Sequence, residues 1–598
     1  MRKIFKNMAW MLTATLAMAA CSDSLDESSG NGNEFNTDGT GYVKIALNLP
    51  STSGTSTRAD SENDDFNDGL AAEYKVNNVI LALFYGADES SATCQWAKDL
   101  GSLNFHNNTS NNITTYSDFV VNEVPKPTNN VYALAIVNGN NYFSVNAANN
   151  LVYNTAQFTG KYTDLFGIGS SVEVDLTKIA GTGGFMMTNA PISKQGSVES
   201  TGVASWSPDI TTLVKLDIYE DEPSAEGATP NPIYVERVVA KVSVKINSND
   251  GVLTVPVGKT YAGATVKFEN WTLQNTNKST YLVRNVVGTE ETPAWKTWIG
   301  STYFNANATN RYNRFVGTTA TPYRTYWGID PNYESVADDN LATNFNIWSS
   351  NSEPSTDDWS KPTNNTTASD AVEVAYCGEN TSKAAAMKDN QLTSVLLKAT
   401  FTPSGATSGQ NFFTCNDVST IYTEDQIGQA FAVVLSEATG NLALQAGEKI
   451  TVKTSATEGK TIDDQSELVK VFEITTDGAS GKKELSSEQA AAILAKYPII
   501  KFYKDGVTYY YTTAIKHFGD VYTPANETNP EQYTEANHLG RYGVLRNNWY
   551  ELQINSVSGP GEPEIPVLPE EPVDKEHRYI NCEINVLSWA KRSQGVDL

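Results

Sequence analysis

Apolar and polar positions alternate in short runs along most of this chain. From residue 42 to 50, Val43, Ile45, Leu47 and Leu49 alternate with Tyr42, Lys44, Ala46 and Asn48, the period of a strand with one buried face. A loose Ser/Thr/Gly tract carrying one arginine, Arg58, follows directly. Residues 79–84, 131–137, 238–244 and 394–399 are apolar and rich in β-branched side chains. Turns rich in Asn, Gly, Thr and Ser separate such runs, which predicts an all-β chain of β-sandwiches. One stretch departs from this period. SSEQAAAILAKYP carries Ser486 and Gln489 at capping-box spacing and ends before Pro498, so it predicts a helix, read as a short insertion on the second sandwich.

The acidic, Pro-containing loop 221–232 marks the expected boundary between an N-terminal sandwich at 59–230 and a C-terminal one at 231–558. No internal repeat points to a solenoid or propeller. After Ser558 comes GPGEPEIPVLPEEPVDKEHR. Residues 559–578 are expected to form an extended, stiff and unpacked tether. Alternation then resumes in 579–598, with Ile580, Cys582, Ile584 and Val586 on one face and Tyr579, Asn581, Glu583 and Asn585 on the other. The tether leaves this strand without an obvious local partner, so a detachable strand is expected at each end of the chain.

Charge and leader narrow the role. With 69 acidic and 43 basic residues the formal net charge is -26, which repels nucleic acid. Residues 1–20 have the outline of a secretory signal: Arg2, Lys3 and Lys6, an apolar stretch from Met8 to Met18, then Ala19 and Ala20 before Cys21. That stretch is too short to span a bilayer. The cysteine after two small residues resembles a bacterial lipobox, with Met18 where leucine is usual, and predicts lipidation of Cys21. The CSDSLDE that begins there resembles the surface-export signals of Bacteroidetes lipoproteins.

Candidate chemistry is sparse. Cys94, Cys377, Cys415 and Cys582 form no CxxC pair, which argues against zinc or dithiol redox chemistry. Buried free thiols are favoured over a disulfide, for which three complete pairings stay open. His106, His517, His538 and His577 are not spaced as metal ligands, and no nucleophile elbow, P-loop or dinucleotide fingerprint occurs. No catalytic residue, metal site or cofactor is therefore expected, and the chain reads as no enzyme. The aromatic groups Tyr323, Tyr326, Trp327 and Tyr333, Tyr509 to Tyr511, and Trp549 with Tyr550 are read as sandwich-core corners rather than sugar-stacking platforms.

Seven segments in order carry a family resemblance: AEYKVNNVILALF from Ala72, FMMTNA from Phe185, VERVVAKVSV from Val235, WTLQNTNKSTYLVRN from Trp271, YWGIDPNY from Tyr326, YCGENT from Tyr376 and GRYGVLRNNWYELQINSVSGPG from Gly540. Together they resemble the major fimbrial subunits, the Mfa-type fimbrillins, of Bacteroidetes type V pili. The resemblance implies two transthyretin-like β-sandwich domains, export as an outer-membrane lipoprotein and polymerisation by donor-strand exchange into a cell-surface fimbria that supports adhesion. It also implies that residues 21–58 are a lipidated propeptide, cut by an Arg-specific protease between Arg58 and Ala59. Cleavage would remove the strand bearing Val43, Ile45, Leu47 and Leu49. The vacated groove would receive the strand bearing Ile580, Cys582, Ile584 and Val586 from an identical subunit, head to tail, with anchor and tip subunits as further partners. The alternative is a surface-anchored glycan-binding or adhesive lipoprotein that does not polymerise, held through Cys21 and needing neither cleavage at Arg58 nor a free tail.

Overall fold

The computed structural model describes residues 35–36, 39–49, 71–104, 106–107, 115–139, 141–166, 170–193, 210–286, 323–325, 327–333, 341–367, 371–416, 420–476, 481–518, 523, 533–534, 538–575 and 580–588. Among them the chain is all-β in its main architecture, with sandwich-like sheets and few helices.

The alternating runs become the strands of a first sheet: β1 (Thr40–Asn48), β2 (Val79–Gly86), β3 (Thr93–Asp99), β4 (Thr115–Pro125), β5 (Asn130–Val137), β6 (Met187–Asn189) and β7 (Asn231–Arg237). Their order is β3-β2-β5-β6-β7-β1-β4, with the two-residue strand His106–Asn107 beyond β4 and Val214–Leu216 paired to β5. The two sides of this sheet meet. Lys98 on β3 contacts Glu123 on β4 at 2.8 Å, and the Tyr85 hydroxyl on β2 donates to the Pro125 carbonyl at 3.2 Å. Side chains from strands throughout the sheet accordingly share one buried core. The sheet also runs past residue 230, because Ile233 and Val235 of β7 are buried in that core. The chain leaves it between Arg237 and Val239, later than the Pro-containing loop suggested.

A second pair of sheets uses β8 (Val239–Ile246), β9 (Thr265–Gln274), β10 (Val374–Gly378), β11 (Ser394–Thr402), β12 (Val507–Tyr511), β13 (Asn548–Val557) and β14 (Ile580–Ser588). In one sheet β8 lies between β10 and β13, and β14 extends the sheet from β13. The other runs from Val252–Thr254 through β9 and β11 to β12. Val242 and Val244 from the first, Trp271 and Leu397 from the second, and Tyr550 and Leu552 from β13 share a core, as a two-layer sandwich requires.

The insertion between β11 and β12 is larger than the single expected helix. Residues 412–503 build three helices, α1 (Glu424–Glu437), α2 (Gln465–Val471) and α3 (Ser487–Lys496), with short strands around a core of their own. The helix α3 forms as predicted, its Ser486 hydroxyl accepting from the Gln489 N–H at 3.1 Å while Gln489 accepts from the Ser486 N–H at 3.0 Å. Thr423 and Gln426 cap α1 in the same way, a signal of equal strength in TEDQ.

Candidate assembly groove and C-terminal strap

The first strand is an interior member of its sheet. β1 runs antiparallel to β4, with Ile45 opposite Phe119 and Leu47 opposite Ser117, and parallel to β7, with Ile45 opposite Asn231 and Leu47 opposite Ile233. Its alternation places Val43, Ile45, Leu47 and Leu49 in the core, each no more than 4 % exposed. Tyr42 exchanges two backbone hydrogen bonds of 2.7 Å with Tyr219, and the Asn231 amide donates to the Lys44 carbonyl at 3.1 Å. At Gly41 a Cβ would sit 2.4 Å from the Tyr219 carbonyl oxygen, so only glycine permits that approach. Withdrawing β1 would therefore strip backbone partners from β4 and β7 together and open a slot between them, floored by apolar side chains. Cys21, Arg58 and Ala59 lie outside the described residues.

At the other end, β14 has a local partner, contrary to the expectation of an unpaired strand. It pairs antiparallel with β13 in a register that sets Val586 opposite Tyr550, Ile584 opposite Leu552, Cys582 opposite Ile554 and Ile580 opposite Val557. β13 is itself held on its far side by β8 in parallel. Among the described residues β14 is the last strand of that sheet.

The Pro-rich stretch before β14 is packed rather than free. Tyr509 and Glu562 exchange backbone hydrogen bonds of 2.7 and 2.8 Å. Tyrosine hydroxyls reach its carbonyls: Tyr503 donates to Gly561 at 2.8 Å, Tyr510 to Gly559 at 3.0 Å, and Tyr511 to Pro566. The reason is chemical. A proline-rich segment has carbonyls with no partners within the segment, and tyrosines on β12 and at the end of the preceding strand Ile500–Tyr503 supply donors. Ile565 and Leu568 of the strap bury against Leu396, Tyr509 and Tyr511. The Tyr509–Tyr511 group is thus an aromatic corner, as read, but one built to hold the strap.

A clamp closes the strap's C-terminal end. Arg541, 2 % exposed, grips Asp574 with two hydrogen bonds of 2.9 Å. The hydroxyls of Tyr533 and Tyr542 donate to the same carboxylate at 2.8 and 2.5 Å. Burial alone would raise the Asp574 pKa, but the hydrogen bonds from Arg541 and Tyr542 outweigh it and hold the carboxyl below its ordinary value. Neither the strap contacts nor this clamp was anticipated from the sequence. The available signal was the coincidence of a tyrosine run with a proline-rich segment.

Residues 501–595 match the family model Fimbrillin_C, described as major fimbrial subunit protein type IV, fimbrillin, C-terminal. The fimbrillin resemblance stands. No curated protein matches the chain. Among solved structures, it is similar to a proposed cell adhesion protein of Parabacteroides distasonis, at 13% identity over 93% of this chain and 99% of that one, with a TM-score of 0.37. It is also similar to the tip fimbrial protein Mfa3 of Porphyromonas gingivalis with a C-terminal truncation, at 10% identity over 92% of this chain and 100% of that one, TM-score 0.32. Scores this low do not fix a common fold. The matched fimbrillin region contains β12, the strap, the clamp and both strands β13 and β14. It supports a fimbrial subunit at the cell surface, a structural rather than enzymatic protein.

Buried charge joins the two sandwiches of this fimbrillin-like chain. Glu73, in the turn Ala71–Tyr74 just ahead of β2, contacts Lys241 on β8 at 2.9 Å and accepts from the Tyr376 hydroxyl on β10 at 2.6 Å. Lys241 also lies 3.9 Å from the centre of the Trp549 ring. Burial lowers the Lys241 pKa, and the Glu73 carboxylate draws it back up. A second group links Glu236 to Arg284 at 3.0 Å and Arg546 to Glu379 at 2.9 Å. Asp330 in the WGIDPN corner accepts the N–H groups of Asn332 and Thr381 at 2.8 and 3.0 Å, and burial pushes its carboxyl up to about 7. Trp327, Tyr333, Trp549 and Tyr550 are all buried, which agrees with their reading as core aromatics. Cys94, Cys377 and Cys415 are buried free thiols, and burial pushes each up to about 12. Among the described residues no group of three or more His, Cys, Asp or Glu side chains could hold a metal ion.

Proposed function

We propose that the chain is a stalk subunit that polymerises by strand exchange. The precursor is anchored through a lipid on Cys21, and an Arg-specific protease cuts after Arg58 in the tract between β1 and the rest of the first sheet. Release of residues up to 58 removes β1, and residues 580–588 of an identical subunit refill its slot. The observation that carries this reading is the position of β1, an interior strand paired on both sides whose covalent link to the strands that follow runs through the segment containing that arginine. Four buried apolar side chains at about 1.5–3 kcal/mol each make its loss worth on the order of 10 kcal/mol, comparable to a domain's net stability. A slot of that depth must be refilled, and addition of a strand from another chain restores both apolar burial and ladder hydrogen bonds. Repeated head to tail, such contacts build an open filament.

One observation favours the non-polymerising alternative, an anchored adhesive lipoprotein: β14 is already paired with β13. An Arg58→Ala variant separates the two. If exchange is triggered by cleavage, the variant accumulates as a monomeric precursor while the native protein gives SDS-resistant ladders on unheated gels that collapse on boiling. Equal ladders from both chains, or monomer from both, would refute the cleavage model.

A further inference from the structure

The contacts around the Pro-rich segment say where a donated tail would have to leave its own subunit. Two anchors bracket the strap: the paired backbones of Tyr509 and Glu562 at one end, and the Arg541–Asp574 clamp at the other. At the first anchor the Lys501 ammonium also meets the Glu562 carboxylate at 2.9 Å, and beyond it the Glu564 carboxylate accepts the Thr461 N–H at 2.9 Å. The Asp389 N–H donates to the Glu571 carbonyl at 3.0 Å. At Gly561 a Cβ would lie 2.0 Å from the Tyr509 carbonyl oxygen, so the strap is seated as closely as a backbone can sit. β14 is held differently: among the described residues its ladder is to β13 alone.

We infer that the strap is a permanent part of the second sandwich, that Asp574 is the positioning residue marking the tail's point of departure, and that only the chain beyond it passes to the neighbouring subunit. This rests on the strand-exchange reading above and deepens it. It also sets a length. From Asp574 to Ile580 an extended chain spans about 20 Å at about 3.3 Å per residue, whereas a tail freed from Gly559 would reach about 70 Å at the same rise. The acceptor slot of the next subunit must then open within about 20 Å of the donor's clamp, which fixes successive subunits closely against each other instead of stringing them on a loose tether.

The test is a staple. Tyr509 and Glu562 form a hydrogen-bonded antiparallel pair, whose Cα atoms lie about 5.5 Å apart, within disulfide range. The full chain carrying Tyr509→Cys and Glu562→Cys is expected to assemble to the same extent, within about twofold, oxidised or reduced. Assembly only after reduction would overturn the inference, since the strap would then have to peel away, while leaving strand exchange intact. A chain truncated after His577 that still polymerised would overturn strand exchange itself, and with it the inference. Should the stapled chain misfold, hydrogen exchange on the unmodified protein decides. The amides of Glu562, Val573 and Asp574 should keep their protection from precursor to polymer within about tenfold. Loss of that protection on assembly would overturn the inference.

Discussion

Replacing Leu47 by alanine should weaken the precursor and leave the polymer untouched. Leu47 is 1 % exposed, and in β1 it lies between Ser117 of β4 and Ile233 of β7. Truncation removes a buried side chain from a site fenced by two ladders, which restricts collapse of the cavity, so a cost of about 2–5 kcal/mol applies. For a domain of this size each kcal/mol lowers the melting temperature by roughly 2–4 °C, giving a fall of about 4–20 °C in the first sandwich. The assay is calorimetry on purified precursor, beside the temperature at which polymer ladders collapse. Leu81→Ala serves as the control: Leu81 is 1 % exposed on β2, a strand the mature subunit keeps, so it should weaken both species. If Leu47→Ala lowers the collapse temperature of the polymer as much as Leu81→Ala does, β1 remains in the polymer and the reasoning fails.

Three other outcomes follow from the contacts described. Glu73→Gln leaves the buried Lys241 ammonium without its counter-charge and should cost about 3–5 kcal/mol in urea unfolding, while the double change Glu73→Leu with Lys241→Met should recover most of it. Gly561→Ala should lift the strap from β12 and raise hydrogen exchange at the Glu562 amide, because the added carbon collides with a backbone oxygen; unchanged exchange would show that the strap has room. Asp574 titrates below its ordinary value when folded, so its clamp strengthens the fold above about pH 4, the unfolded value. That contribution declines as pH falls through the lowered folded value. Asp574→Asn should flatten this acid limb of the stability profile, measured by thermal melts across the acid range.

How much was legible beforehand depended on whether the relevant forces act locally. The period-2 pattern of residues 42–49 predicted both a strand and the burial of Val43, Ile45, Leu47 and Leu49, because a strand's faces follow from its own sequence. The capping box at Ser486 and Gln489 predicted α3 for the same reason. Thr423 and Gln426 carry the same local signal for α1, and the inserted unit is correspondingly larger than one helix. The strap's packing was not legible because proline content reports backbone stiffness and says nothing about distant tyrosines that satisfy the segment's carbonyls. The clamp joins Asp574 to Arg541, Tyr542 and Tyr533, and the seam joins Glu73 to Lys241. Such pairings between residues far apart in sequence leave no periodic trace. The loop 221–232 suggested a domain boundary, yet its last residue, Pro232, lies near the start of β7 opposite Ala46 of β1, a position where a strand can accept proline.

The account depends on whether β1 is absent from the assembled subunit, and the N-terminal sequence of polymer recovered from the cell surface tests that directly. It should begin at Ala59. Polymer that still begins at Cys21 would retain β1 between β4 and β7, leave no slot to fill, and contradict the account.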